Sequence, residues 1–168
     1  MKRILPLIIL VLFSTAKAAA QMLIPEPTDI ETTHKTFKIR KIVEVVDTSC
    51  RLAPEAYLLS AHKGKVTLTA ADRAGIVHAR ATMAQLTGCV GPEDFMSDKA
   101  FIGKVIHETE ISDRPAFPIR GFMHDTGRNF RETETLKKEI DLFAFYKINV
   151  FHWHLTDNPA WRIECHAY

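Results

Sequence analysis

The stretch IRGFMHDTGRNFRETETLKKEIDLFAFYKINVFHWHLTD (119–157) decides how the chain is read. Ile119 to Asp125 has the make-up of a short strand around Gly121. Thr133 to Lys147 reads as a helix, because Leu136, Ile140, Phe143 and Ala144 fall on one stripe. Leu142, Phe145 and Tyr146 widen that stripe, so the second half should be covered on more than one side. Asn149 is placed to end the helix in a left-handed turn. Val150 to Leu155 is apolar enough to be a buried strand. Strand, helix and strand within about 40 residues make a βαβ unit with parallel strands.

The polar residues fall where such a unit does chemistry. In parallel α/β folds the active site lies at the carboxyl ends of the strands. The first strand ends at His124-Asp125 and runs into Thr126-Gly127-Arg128. The second ends at His154 and runs into Thr156-Asp157-Asn158. Adjacent strands lie about 4.8 Å apart, so both groups should share one rim. Two carboxylates, two imidazoles and a guanidinium would then face a common opening. Arg128 has the fork geometry that suits sugar hydroxyls or carboxylates, and equally a structural ion pair with Asp125 or Asp157. His152, His154 and Asp157 form H-x-H-x-x-D, which could direct both imidazoles at one metal, as in a barrel metallohydrolase. Phe151, Trp153 and Leu155 occupy the opposite face and read as core packing.

Upstream, residues 22–111 mix α and β. Thr36 to Val46 reads as one strand. Ala56 to Ala61 and Lys65 to Ala70 are two more, joined by a hairpin turn at His62-Lys63-Gly64. Asp72 opens a helix that Gly88 closes, with Ile76, Ala79, Met83 and Leu86 on its apolar face. Lys104 to Ile111 is a further strand. His34, His62, His78 and His107 are scattered and read as surface or core residues, not ligands. Asp113-Arg114-Pro115-Ala116-Phe117-Pro118 is a proline-rich joint to the βαβ unit.

The chain has 168 residues, 22 Lys and Arg, 20 Asp and Glu, and 46% hydrophobic residues. That composition excludes a disordered or collagen-like chain, and its balance gives no reason to expect nucleic acid. The length excludes a whole (β/α)8 barrel, which takes about 250 residues. Lys2 and Arg3, the apolar run Ile4 to Phe13 and the small residues Ala16 to Ala20 make the three-part pattern of a signal peptide. That apolar run is too short to span a bilayer core of roughly 30 Å. Loss of Lys2, Arg3 and Lys17 leaves 19 basic against 20 acidic residues, so the net +2 belongs to the leader. The expected location is periplasmic or secreted, with no membrane attachment after cleavage. Cys50, Cys89 and Cys165 form neither a disulfide framework nor a zinc pattern, though one bridge is possible.

Residues 113–168 closely resemble the start of the catalytic domain of glycoside hydrolase family 20, the β-N-acetylhexosaminidases. The resemblance is carried by DRPAFPIRGFMHDTGRNF (113–130) and KKEIDLFAFYKINVFHWHLTDNPAWRIE (137–164). The run through EAYLLSA (55–61) and KVTLTAADRAGI (65–76) resembles the small α+β domain that precedes the barrel in this family. The fold class implied is mixed: a signal peptide (1–20), an abbreviated α+β domain (21–112) and the beginning of a (β/α)8 TIM barrel (113–168), truncated. The resemblance implies glycans with terminal N-acetylhexosamine as partners, and no cofactor or metal. It also implies a substrate-assisted retaining mechanism, in which the 2-acetamido oxygen attacks the anomeric carbon and a Glu protonates the leaving oxygen.

Two positions carry over. Arg128, in Asp-Thr-Gly-Arg, matches the arginine that holds hydroxyls of the terminal sugar. Asp157, in His-Leu-Thr-Asp, matches the aspartate that supports the catalytic Glu through a histidine. Asn158 stands where a second Asp is common, and Gly127-Arg128-Asn129 replaces the more usual Ser/Ala-Arg-His. No Gly-Asp-Glu run occurs in the sequence, and neither the histidine partner of Asp157 nor the aromatic walls of the pocket are found. The chain is therefore expected to be an amino-terminal fragment, inactive alone, with an open sheet edge, an uncovered apolar face and poor folding. A noncatalytic sugar-binding remnant using Arg128, and a metal-dependent hydrolase using His152, His154 and Asp157, are the competing readings. For the leader, mass spectrometry of the exported product should find Gln21 as its first residue; an exported chain beginning at Met1 would refute it.

Overall fold

The computed structural model describes residues 22–88, 90–158 and 160–166. The leader at 1–20 and Cys89 lie outside these described residues. Five strands make the first sheet: β1 (Asp29–Lys38), β2 (Lys41–Val46), β3 (Tyr57–His62), β4 (Lys65–Ala70) and β5 (Val105–Asp113), in the order β1-β5-β3-β4-β2. Helix α1 (Arg73–Thr87) packs on one face, and a short helix α2 (Asp98–Phe101) precedes β5. Leu59 and Ala61 of β3, Val66, Leu68 and Ala70 of β4, and Ile111 of β5 are buried at the two-residue period of strands. They meet Ile76, Ala79 and Met83 of α1.

Local chemistry sets these boundaries. Lys63 and Gly64 both have positive φ, 47° and 91°, which makes the tight β3–β4 hairpin. Asp72 caps α1: one carboxylate oxygen accepts from Gly75 N (2.7 Å) and the other from Glu55 N (2.8 Å). A Cβ on Gly75 would lie 2.4 Å from the Ala56 carbonyl oxygen, so glycine is what lets α1 sit this close to the sheet. Gly88 closes the helix at φ 61°.

Thr36 to Val46 is not one strand. The chain breaks at Ile39-Arg40 because its two halves serve different neighbours: β1 runs antiparallel to β5, and β2 runs parallel to β4. Buried Ile39 sits at the crossing and donates its N–H to Lys104 O (2.9 Å), while Arg40 N donates to Gly64 O (2.8 Å). Ile39 continues the apolar pattern, so periodicity hides the break.

Strand β6 (Gly121–Asp125), helix α3 (Thr133–Phe145) and strand β7 (Val150–His154) form the βαβ unit, with β6 and β7 parallel. Phe143 of α3 covers Phe122 (ring centroids 4.6 Å apart) and Phe151 (5.9 Å). The other face of the pair, with Met123, Val150 and His152, is open. Trp153 was expected in the core but is 47% exposed. A two-residue hairpin, β8 (Thr156–Asp157) and β9 (Ala160–Trp161), follows.

The left-handed residue after α3 is Lys147 (φ 62°), not Asn149. The reason is what each side chain does. Lys147 is buried at the junction of the two sheets, where Nζ donates to Asp113 Oδ2 (2.9 Å) and Tyr57 Oη (3.0 Å). Asn149 instead ties backbone together: Oδ1 accepts from Arg120 N (2.9 Å), and Nδ2 donates to Glu55 Oε1 and Pro118 O (both 2.9 Å). Arg120 adds Nε to Lys147 O (2.7 Å) and a close ion pair with Glu55. Burial alone would raise the Asp113 carboxyl. The Lys147 ammonium, with donors from Thr28 and Tyr57, outweighs burial and holds it below its ordinary 3.8.

Asp113→Asn should lower the unfolding free energy by roughly 3–5 kcal/mol, the cost of leaving a buried charge unpaired. Asp113→Leu with Lys147→Met, which removes both charges, should recover most of that loss in denaturant unfolding. The depressed Asp113 value makes its contribution complete above pH 3.8 and lost as pH falls through the folded value, so the Asn variant should lack this acid dependence.

Candidate functional site

The carboxyl ends of β6 and β7 bring Asp125, Arg128, His154 and Asp157 together. Asp125 and His154 are paired residues in the parallel register, which puts them side by side at the rim. The chain then turns at Thr126-Gly127, where both backbone N–H groups donate to His154 O (3.0 and 3.3 Å). Gly127 fits because it is packed against the second loop: a Cβ there would lie 3.0 Å from Asp157 N. This turn returns Arg128 to Asp125, whose Oδ1 accepts from Arg128 N (2.9 Å) and whose Oδ2 takes the Nε–H in a close ion pair.

Asp157 closes the group. Its Oδ2 lies 3.5 Å from Arg128 Nε and 3.1 Å from His154 Nε2, and its Oδ1 accepts from Asn158 N (2.7 Å). The Arg128 backbone N–H, then its guanidinium, hold the Asp125 carboxyl below the usual range. The His154 contact, then the Asn158 N–H, do the same for Asp157. Asp125 raises Arg128 in turn. Arg128 thus spends Nε on orientation. Its side chain is 61% exposed, and among the described residues neither terminal nitrogen is hydrogen-bonded. Two N–H-bearing nitrogens in a fixed plane are a donor fork for adjacent hydroxyls.

Of the alternatives left open for Arg128, the structure shows the ion pairs, with Asp125 and Asp157, and these fix the direction of its fork. Two imidazoles do not join. His124 points to the α3 face of β6, 2.8 Å from the Glu139 carboxylate, because it alternates with Asp125 along the strand. His152 is exposed one step before His154, with ring centroids 6.3 Å apart. The three donors that do converge are Asp125, His154 and Asp157, with ligand atoms within 4.8 Å of one another. This corrects the H-x-H-x-x-D reading, since Asp125 takes the place of His152. Arg128 already supplies a cation between the two carboxylates.

Two contributors escaped the sequence reading. Buried Thr126 accepts the Trp153 indole N–H at Oγ1 (2.9 Å), which draws Trp153 to the rim. Arg162 donates to the Thr126 and Gly127 carbonyls (2.7 and 3.1 Å) and lies over the Phe130 ring. No spacing signal marks these contacts, which join segments more than twenty residues apart. The contact of Asp157 with His154 was within the H-x-H-x-x-D spacing.

A parallel βαβ unit with an oriented guanidinium and two carboxylates at its strand ends has its polar groups where α/β folds place their ligand sites. Residues 117–168 match the model of the glycosyl hydrolase family 20 catalytic domain. A β-hexosaminidase of Porphyromonas gingivalis is 40% identical over 123 residues, 73% of this chain and 15% of the relative. A β-hexosaminidase of Akkermansia muciniphila is 34% identical over 172 aligned residues, 100% of this chain and 33% of the relative. The solved exo-β-N-acetylglucosaminidase of Vibrio harveyi in complex with N-acetylglucosamine superposes with a TM-score of 0.70 at 27% identity, covering 86% of this chain and 27% of that one. The chain belongs to glycoside hydrolase family 20. It spans a third or less of the length of these relatives.

In a carboxyl-resolved NMR titration, Asp125 and Asp157 should both titrate below 3.8, and Arg128→Ala should move both upward. Values unmoved by the substitution would show that the guanidinium does not organise the site.

Proposed function

We propose that this chain supplies the sugar-gripping part of a β-N-acetylhexosaminidase site, at the start of a (β/α)8 catalytic barrel. The observation that carries the reading is Arg128, an exposed side chain whose Nε is tied to Asp125 and Asp157 while neither terminal nitrogen is hydrogen-bonded among the described residues. In this reading the terminal nitrogens donate to hydroxyls of a terminal N-acetylhexosamine. Asp157 is a positioning residue that holds a histidine behind the acid. Hydrolysis with retention proceeds through attack by the substrate's own acetamido oxygen, whose tethering gives it a high effective concentration.

The 168-residue polypeptide contains no Gly-Asp-Glu run, so we propose that it does not cleave glycosides by itself. The small α+β unit at 21–112 is the domain that precedes the barrel, and the protein is exported through its leader. The similarity to proteins named β-hexosaminidase supports the substrate class.

The purified chain should release no chromophore from an aryl N-acetyl-β-glucosaminide. Grafted in place of the matching segment of the P. gingivalis relative, it should give an active chimera. There Arg128→Ala should lower kcat/KM about a hundredfold, as expected for losing two charge-assisted hydrogen bonds of about 1.5 kcal/mol each. Turnover by the isolated chain would overturn the first statement. An active chimera indifferent to Arg128→Ala would overturn the second.

A further inference from the structure

The end of the five-stranded sheet farthest from the βαβ unit gathers six cations. Lys38 ends β1, Arg40 lies in the crossing, Lys41 starts β2, Lys63 sits in the β3–β4 turn, Lys65 starts β4 and Lys104 precedes β5. Backbone hydrogen bonds fix the gathering: Ile39 N to Lys104 O, then Arg40 N and Lys41 N both to Gly64 O (2.9, 2.8 and 3.2 Å). Lys41 and Lys65 are direct partners in the parallel register, a like-charge pairing that disfavours the fold.

Among the described residues nothing neutralises this group. Among the described residues none of the six forms an ion pair. Three acids of the sheet have other partners: Glu108 and Glu110 meet His62 (3.8 and 2.6 Å), and Glu44 meets Arg80. Residues 22–112 hold 11 Lys and Arg against 12 Asp and Glu, so the cluster reflects segregation of charge and not an excess of it. Segregated charge of one sign at a concave surface concentrates counter-ions there.

The surface is also shaped. A cleft of about 250 Å³ is lined by Phe37, Lys38, Arg40, Lys63 and Gly64. Gly64 is buried in this lining, with φ 91° and Arg40 packed beside it. The half-buried Phe37 ring offers an apolar wall for the face of a sugar, and the cations offer partners for its acidic substituents. Five of the six are lysines, mobile point charges that accept anions in many orientations, unlike the planar fork of arginine. A recessed aromatic ring in a cleft fits a chain laid between the lysines better than a flat bilayer.

We propose that this sheet end is a binding surface for an acidic polysaccharide, separate from the Arg128 site. The full length of β5, roughly 25–30 Å, lies between them, so the surface holds polymer and not the bond that would be cut. The proposal stands independently of the hydrolase reading.

The test is calorimetric titration of the full chain with alginate oligosaccharide and with dextran sulfate, neutral dextran serving as control. Both acidic polymers should bind and the neutral one should not. Raising salt from 50 to 500 mM should weaken binding at least about tenfold, since screening shortens to a few Å. Lys38→Glu/Arg40→Glu/Lys63→Glu should abolish binding. The milder Lys38→Gln/Lys63→Gln/Lys65→Gln should reduce it at least about tenfold, with an unchanged circular dichroism spectrum. Arg131→Glu/Lys137→Glu/Lys138→Glu, cations placed elsewhere, should leave affinity as it was. The proposal is overturned if neither acidic polymer binds, if the distant triple reversal weakens binding as much as the sheet-end one, or if the chain binds phosphatidylglycerol vesicles but no acidic polymer.

Discussion

A lysine ammonium buried between two sheets is the constraint on which the rest of the structure depends. Lys147 is almost wholly shielded from water at the junction, so its charge needs compensation from the protein. Asp113, the last residue of β5, supplies the carboxylate, and Tyr57, the first of β3, supplies a phenol oxygen. Burial and the Asp113 charge push the Tyr57 phenol well up, so it keeps its proton, and its oxygen lies 2.6 Å from Thr82 Oγ1 of α1. One side chain thereby joins the end of α3 to β3, β5 and α1. The left-handed backbone at Lys147 is accepted because it aims the ammonium inward and starts the return to β7.

A second polar set runs alongside it. Glu55 takes Arg120 and Asn149, and its backbone carbonyl faces His78 Nδ1 at 3.1 Å. Arg120 and Asn149 flank the start of β6 and β7, so this set fixes where the parallel pair begins. With the strands anchored at one end, their other end presents Asp125, Arg128, His154 and Asp157 as a preorganised group. The ionised state of both carboxylates follows from the same contacts that orient the guanidinium. Geometry and charge at the rim are thus one arrangement.

The strand, helix and strand of 119–157, the α1 helix with its Asp72 and Gly88 caps, and the β3–β4 turn were all legible, because each rests on contacts a few residues long. Arg128 and Asp157 were legible as rim residues for the same reason: a parallel pair must bring its carboxyl ends together. The break at Ile39 was not, because a buried crossing residue and a strand residue share one apolar signature. His124 was credited to the rim from proximity in sequence, whereas alternation sends it to α3; His152, credited only with the H-x-H-x-x-D motif, stays one step short. Trp153 was assigned to the core, but its indole N–H needs a partner and finds it in Thr126.

The sequence by itself determined the βαβ unit with its parallel pairing, the capped α1 helix, the β3–β4 hairpin and the place of Asp125, Arg128, His154 and Asp157 at the rim. All of these follow from periodicity, caps and chain length, which are properties of neighbours along the chain. The tertiary structure alone decided that Asp125 replaces His152 among the converging donors, that Arg128 is aimed by two carboxylates, and that Lys147 joins Asp113. It also decided that six cations separated in sequence share one end of a sheet. Those outcomes depend on burial and on electrostatic partners brought from 3 to 90 positions away, as between Asp125 and Arg128 or Tyr57 and Lys147, and no local pattern encodes them.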